Sequence, residues 1–225
     1  MALQMKHATI TCVVGRRGFG KSEHLKRALL PAIDGPVVVF DPKGEYGIDE
    51  GFIDEFYDAD AFLDAAEERG FWRASCRFNA EDTALSFAAL YHFTPHTIVV
   101  EEAHQYMSPN KIEPGLDRLI RMGRLPSVSI VLVTQRARDF PQIIYTMADH
   151  IVVFQQRGEH DMRALEFATD EDVEDVKTLP RDAFRNFDMT GDGGAPAGRN
   201  IKHDPPSAND YPADADEDAP MREDV

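Results

Sequence analysis

Short runs of β-branched and apolar residues alternate along this chain with segments whose apolar residues recur every three or four positions. Residues 8–14 (A-T-I-T-C-V-V), 36–41 (P-V-V-V-F-D), 97–100 (T-I-V-V), 128–134 (V-S-I-V-L-V-T) and 150–154 (H-I-V-V-F) read as buried strands, with 71–78 a weaker one. Helical spacing follows Ser22, where Leu25, Ala28, Leu29 and Ala32 recur. It also predicts helices over 59–69, 81–91, 114–124, 140–147, 161–168 and 171–177. Strands alternating with helices predict an α/β fold with a mostly parallel sheet, contained in residues 1–190. From Gly191 to Val225 large apolar residues nearly vanish and Gly, Pro, Ala and Asp dominate. Such a segment buries too little to offset its ordering entropy and reads as an extended acidic tail.

Composition narrows the setting. The 225 residues suffice for one core plus appendages, and no apolar run is long enough to span a membrane. No signal segment opens the chain, and Cys12 and Cys76 make no metal pattern, so a reducing cytoplasmic location is expected. The balance of 24 basic against 40 acidic residues gives −16. A chain this acidic is a poor non-specific DNA binder on average, so any DNA contact must come from a local basic surface. The acids are heavily Asp and Arg outnumbers Lys. That bias suits a protein of a high-salt environment, where screening weakens self-repulsion.

Chemistry concentrates first at Gly15, Arg16, Arg17, Gly18, Phe19, Gly20, Lys21 and Ser22. The run fits G-x-x-x-x-G-K-[ST], a phosphate-binding loop placed between a strand and a helix. Its glycines allow backbone N–H groups to turn toward a polyphosphate, and the following helix adds its positive end. Lys21 can reach the β- and γ-phosphates, and the Ser22 hydroxyl can sit on Mg²⁺. ATP with Mg²⁺ is the expected ligand.

Three further groups bear on hydrolysis. Glu101 and Glu102 follow an apolar strand directly, where one acid can hold the metal and the next can polarise water. Gln135 closes the strand 128–134, at the end where such sheets bind ligands. Taken alone, it reads better as a loop-start amide bonded to backbone. Arg118, Arg121 and Arg124 form a stripe at i, i+3, i+6. Spacing makes it a solvated helix face, unless one arginine reaches a neighbour's phosphate as a finger.

In order, V-V-G-R-R-G-F-G-K-S, V-V-V-F-D-P-K-G-E-Y, I-V-V-E-E-A-H, G-R-L-P-S-V-S-I-V-L-V-T-Q-R and A-D-H-I-V-V-F resemble the FtsK/HerA superfamily of DNA-pumping ATPases. The similarity runs from Ala8 to Leu179. It implies a RecA-like (ASCE) P-loop NTPase with helices on both faces of a mostly parallel sheet. Lys21 and Ser22 match the Walker A pair, Glu101 and Glu102 the Walker B acids, and Gln135 the sensor. Arg124 matches the arginine finger, with Arg121 as runner-up, and Asp41 matches an acid whose role the residues do not give. The resemblance also implies a homo-hexameric ring around double-stranded DNA, gripped without base readout. Lys111, Arg136 and Arg138 are candidate contacts.

Only about seven residues precede the first strand. A β-barrel of the HerA kind, or the spans and DNA-reading domain of FtsK proteins, is therefore not expected. The stripped-down form is similar to the genome-packaging ATPases of membrane-containing icosahedral viruses. Partners at a capsid or virion membrane vertex would follow, with the protein cytoplasmic in the host or attached to the virion. The alternatives are a cellular HerA-like or conjugation-type pump, a P-loop nucleotide kinase, and an assembly protein that binds ATP without hydrolysing it.

Overall fold

Strand side chains alternate between the two faces of a sheet, and here both faces are covered. The computed structural model describes residues 8–33, 35–47, 51–52, 54–68, 73–92, 96–123, 127–190 and 201–203. In chain order these form β1 (Ile10–Val14), α1 (Lys21–His24), β2 (Val37–Phe40), β3 (Asp54–Phe56), α2 (Ala59–Glu68), β4 (Arg73–Cys76), α3 (Ala80–Leu90) and β5 (His96–Val100). There follow β6 (Met107–Ser108), β7 (Lys111–Ile112), α4 (Pro114–Met122), β8 (Val128–Thr134), α5 (Gln142–Met147), β9 (His150–Phe154), α6 (Glu159–Thr169), β10 (Phe184–Asp188) and β11 (Ile201–His203). Nine strands make one sheet in the order β11-β10-β9-β1-β8-β5-β2-β4-β3. The run from β9 to β3 is parallel, while β10 and β11 are antiparallel additions.

The alternation is legible residue by residue. Cys12, Val38, Phe40, Ile98, Val100, Ile130, Leu132, Ile151 and Val153 join one core with side chains of α2 to α6. Val13, Val37, Val39, Val99, Val131, Val133 and Val152 face the other way, toward Leu25, Leu30, Tyr46 and Phe52. Helices therefore cover both faces, but unevenly. One face carries five helices, and the other carries the helix that begins with α1 and continues through a π-wound turn, Leu25–Leu29, to Ala32.

Several expectations on elements are corrected. The helix expected over 171–177 is a short 3₁₀ turn, Glu174–Thr178. The Asp172 carbonyl there accepts from the buried Arg185 (2.8 Å), whose guanidinium also pairs with Glu171 and Asp175, so the backbone is not left to helical partners. β3, the β6–β7 hairpin and β10 were not expected as elements. Within the segment expected to be a tail, β11 pairs with β10; residues 191–200 and 204–225 lie outside the described residues. Among the described residues, no helix is long and apolar enough to cross a membrane.

Candidate active site

The carboxyl ends of β1, β8, β5 and β2 lie side by side, and the loops leaving them surround an open cleft of about 280 Å³. β1 runs into the phosphate-loop sequence. Its first glycine is dictated by close approach: a Cβ on Gly15 would overlap that of Phe154 at the end of β9. The Gly15 N–H donates to the Thr134 carbonyl (3.3 Å) and the Arg16 N–H to the Gln155 carbonyl (3.0 Å), tying the loop to both neighbouring strands. Gly20 has φ 96°, a conformation that favours glycine, and its carbonyl accepts from His24 (2.8 Å) as α1 begins.

The loop residues divide their tasks. Arg17, Gly18, Gly20, Lys21 and Ser22 line the cleft. Arg16 turns to Gln155 (2.8 Å) and lies over the Phe19 ring, so these two side chains brace the loop from outside. Lys21 Nζ donates to the Gly15 (2.6 Å) and Arg16 (3.1 Å) carbonyls, folding over its own loop. Burial lowers its pKa, against the opposing charges of Glu101 and Glu102.

Both acids after β5 are buried beside the loop. Glu101 Oε1 accepts from the Tyr46 hydroxyl (2.6 Å). Burial drives its pKa up despite that bond, and the charges of Glu45 and Asp41 add to the rise. Glu102 sits in the left-handed region (φ 49°). Gln135 Nε2 donates to both its oxygens (3.0 and 3.2 Å), Lys43 Nζ donates to Oε1, and His104 Nδ1 lies 3.3 Å from Oε2. Burial would raise this pKa, but the bonds from Lys43 and Gln135 outweigh it and hold Glu102 below the ordinary glutamate value.

Lys43 and Tyr46 are partners of these two acids that the sequence reading did not single out. Asp41 supplies their placement. Its buried carboxylate accepts the N–H groups of Lys43 (3.2 Å), Gly44 (2.9 Å) and Tyr46 (2.9 Å). The D-P-K-G-E-Y turn thus carries one side chain to each glutamate, which assigns Asp41 a positioning role. The signal available beforehand was a lysine and a tyrosine at fixed offsets from an acid that ends a buried strand.

The donor set also suits Mg²⁺. Ser22 and Glu101 offer hard oxygen donors on one cleft, and this ion characteristically keeps waters and phosphate oxygens as its other ligands. Among the described residues, no group of three or more His, Cys, Asp or Glu could hold a metal on its own.

None of the remaining described candidates lines the cleft. Arg118 stacks on Tyr91 and Arg121 pairs with Asp117 (2.8 Å), so neither lines it. Arg124 lies outside the described residues. Lys111 is exposed on the β6–β7 hairpin that follows Glu102 and a 3₁₀ turn, and Arg136 and Arg138 are exposed just beyond Gln135.

No protein-family model matches the sequence, and no curated protein matches it. Solved structures do. The genome-packaging NTPase B204 of Sulfolobus turreted icosahedral virus 2, in complex with ATP-gammaS, superposes with a TM-score of 0.72 at 21% identity, covering 89% of this chain and 99% of that one. B204, the DNA-packaging ATPase of Sulfolobus turreted icosahedral virus, gives 0.64 at 19%, covering 88% and 97%. VirB4 of Thermoanaerobacter pseudethanolicus gives 0.56 at 13%, covering 83% and 90%. The chain therefore has the RecA-like α/β fold of these proteins.

Proposed function

We propose that this protein is an ATP-hydrolysing motor that moves double-stranded DNA, and that its cargo is a viral genome pumped into a preformed capsid. The observation that carries the hydrolytic reading is the Glu102 carboxylate, held beside the phosphate loop by Gln135 and Lys43. Support for packaging comes from the superposition with B204, which spans nearly the whole of both chains.

The residues assign themselves to steps. The loop N–H groups and Lys21 hold the triphosphate, and Ser22 and Glu101 would hold Mg²⁺, which offsets phosphate charge when bound. Glu102 orients a water and takes its proton as the water oxygen bonds to the γ-phosphorus and the bond to ADP breaks. Gln135, already bonded to Glu102, links that carboxylate to the end of β8 and serves as the sensor. Arg124, or else Arg121, comes from a neighbouring subunit of a hexameric ring. Arg118, stacked on Tyr91, and Arg121, paired with Asp117, do not line their own cleft, so neither of them supplies a kinase-like lid within one chain.

DNA contact falls to Lys111, Arg136 and Arg138, on segments that leave the site next to Glu102 and Gln135. Contacts of this kind grip phosphate and carry no base readout. A conjugation-type pump would share this site and differ in cargo. The protein would work in the host cytoplasm or at a virion vertex, with capsid or vertex proteins as partners and in high salt.

The test is Glu102→Gln. ATP binding should persist, while phosphate release under saturating ATP falls by about 10²-fold or more. Undiminished hydrolysis would remove Glu102 from the mechanism. Transfer of phosphate to a nucleotide acceptor in place of release would favour a kinase.

A further inference from the structure

We infer that Asp182 recognises the ribose of the bound nucleotide, making it a specificity residue for the nucleotide reading above, on which this inference rests. The sheet order divides the cleft into two ends. On one side of β1 lie β8, β5 and β2, which bring Gln135, Glu101, Glu102 and Lys43. On the other lie β9 and β10, and the turn entering β10 brings Arg181 and Asp182 to the same cleft. The terminal phosphoryl must lie at the Glu102 end for water to attack it. The rest of the ligand then extends across the loop toward the β9–β10 end, where its nucleoside meets Asp182.

Asp182 is held firmly at that end. The side-chain amide of Gln155 donates to the Leu179 carbonyl (2.9 Å), and the Ala183 N–H closes the turn on Pro180 (3.3 Å). Asp182 itself has φ 64°, a conformation that aspartate tolerates better than most residues. The turn packs so closely on the phosphate loop that a Cβ on Gly20 would lie 3.0 Å from the Asp182 Cα and would overlap its carboxylate. The Asp182 side chain lines the cleft and is nonetheless 44% exposed, and its ion-pair partner, Arg181, lies 3.8 Å away.

An ionised carboxylate only accepts hydrogen bonds, and next to a triphosphate it repels the ligand wherever phosphate is its neighbour. It is tolerated where the ligand presents donors, and a ribose offers two adjacent hydroxyls. Carboxylates read ribose hydroxyls in this way in dinucleotide-binding folds.

The experiment compares ATP, 2′-deoxy-ATP, 3′-deoxy-ATP and GTP as substrates, with inorganic tripolyphosphate as competitor, on the full chain and on Asp182→Gly. Glycine accepts the positive φ, so the variant removes the carboxylate without straining the turn. The wild type should favour ATP over at least one deoxy form by about tenfold or more in kcat/KM. Asp182→Gly should erase that preference, through KM, while tripolyphosphate competes as well as before. An unchanged preference, equal weakening of tripolyphosphate, or a shift confined to the ATP-to-GTP ratio would overturn the assignment. Should the glycine variant not fold, Asp182→Asn also tolerates the backbone and should reduce the preference. Lys21→Ala separates the two levels. If it leaves nucleotide binding intact, the nucleotide reading itself fails; if it abolishes binding while Asp182→Gly leaves the preference, only the ribose assignment fails.

Discussion

Glu101 is a carboxylate kept where a carboxylate is costly. It is 6% exposed, one hydrogen bond from Tyr46 meets it, and burial raises its pKa. An acid whose folded pKa lies above its unfolded value loses stability as pH rises. Below the ordinary value of 4.5 both states are protonated, whereas above the raised folded value the whole burial penalty is present. Glu101→Gln should therefore raise the Tm of the nucleotide-free protein at pH 8, by about 2–4 °C for each kcal/mol recovered. The gain should shrink as pH falls toward 4.5 and vanish below it, and Mg²⁺-dependent turnover should be lost throughout. Thermal scans across pH check this, and a Tm difference that grows on acidification would contradict it. The identity of this acid pair was readable from two glutamates after an apolar strand. Its electrostatics were not, because Lys43 and Tyr46 reach it from another strand's loop, 59 and 55 residues away in sequence.

Among the elements, the parallel strands were legible because their buried runs, such as V-V-V-F and V-S-I-V-L-V-T, have no other stable home. β10 was hidden by its own interior. Its buried positions are Arg185 and Phe187, and the first is a charged arginine whose partners lie outside the strand. β3 is three residues long, D-E-F, and the β6 and β7 strands are two each, below the length at which a period of two can be seen. The phosphate loop shows the converse. Its motif was plain, but the reason for its first glycine is tertiary, since Gly15 abuts Phe154 of β9. Gly15→Ala should thus push the loop off β9 and cost about 1–3 kcal/mol, the usual penalty for overpacking. Urea denaturation would show it as a lower midpoint at unchanged m-value, together with weaker ATP binding. A variant as stable as wild type would mean that the β9 end yields and that Gly15 serves only the ligand.

At the scale of the whole molecule, charge decides between two demands. With 40 acids against 24 bases, pairing cannot neutralise the surface. Many exposed bases are already spent on local pairs, such as Arg27 with Glu23, Arg121 with Asp117 and Arg163 with Glu159. The excess acids repel one another, and that repulsion is screened as the Debye length falls from about 10 Å at 0.1 M salt to about 3 Å at 1 M. Tm should accordingly rise with KCl, by about 5 °C or more over that range, equivalent to roughly 1–2.5 kcal/mol in a chain of this size. DNA contact carries the opposite sign. If Lys111, Arg136 and Arg138 make the proposed DNA contacts, each phosphate they neutralise would release counterions, so DNA affinity should fall as salt rises. The DNA-stimulated part of ATP turnover should decline along the same KCl series that stabilises the fold, while DNA-independent turnover holds or improves. One titration read by thermal scanning and by phosphate release separates the two effects. A flat or falling Tm would remove the high-salt reading of the acidic surface. DNA stimulation that does not change with salt would place the DNA contacts somewhere other than these three basic side chains.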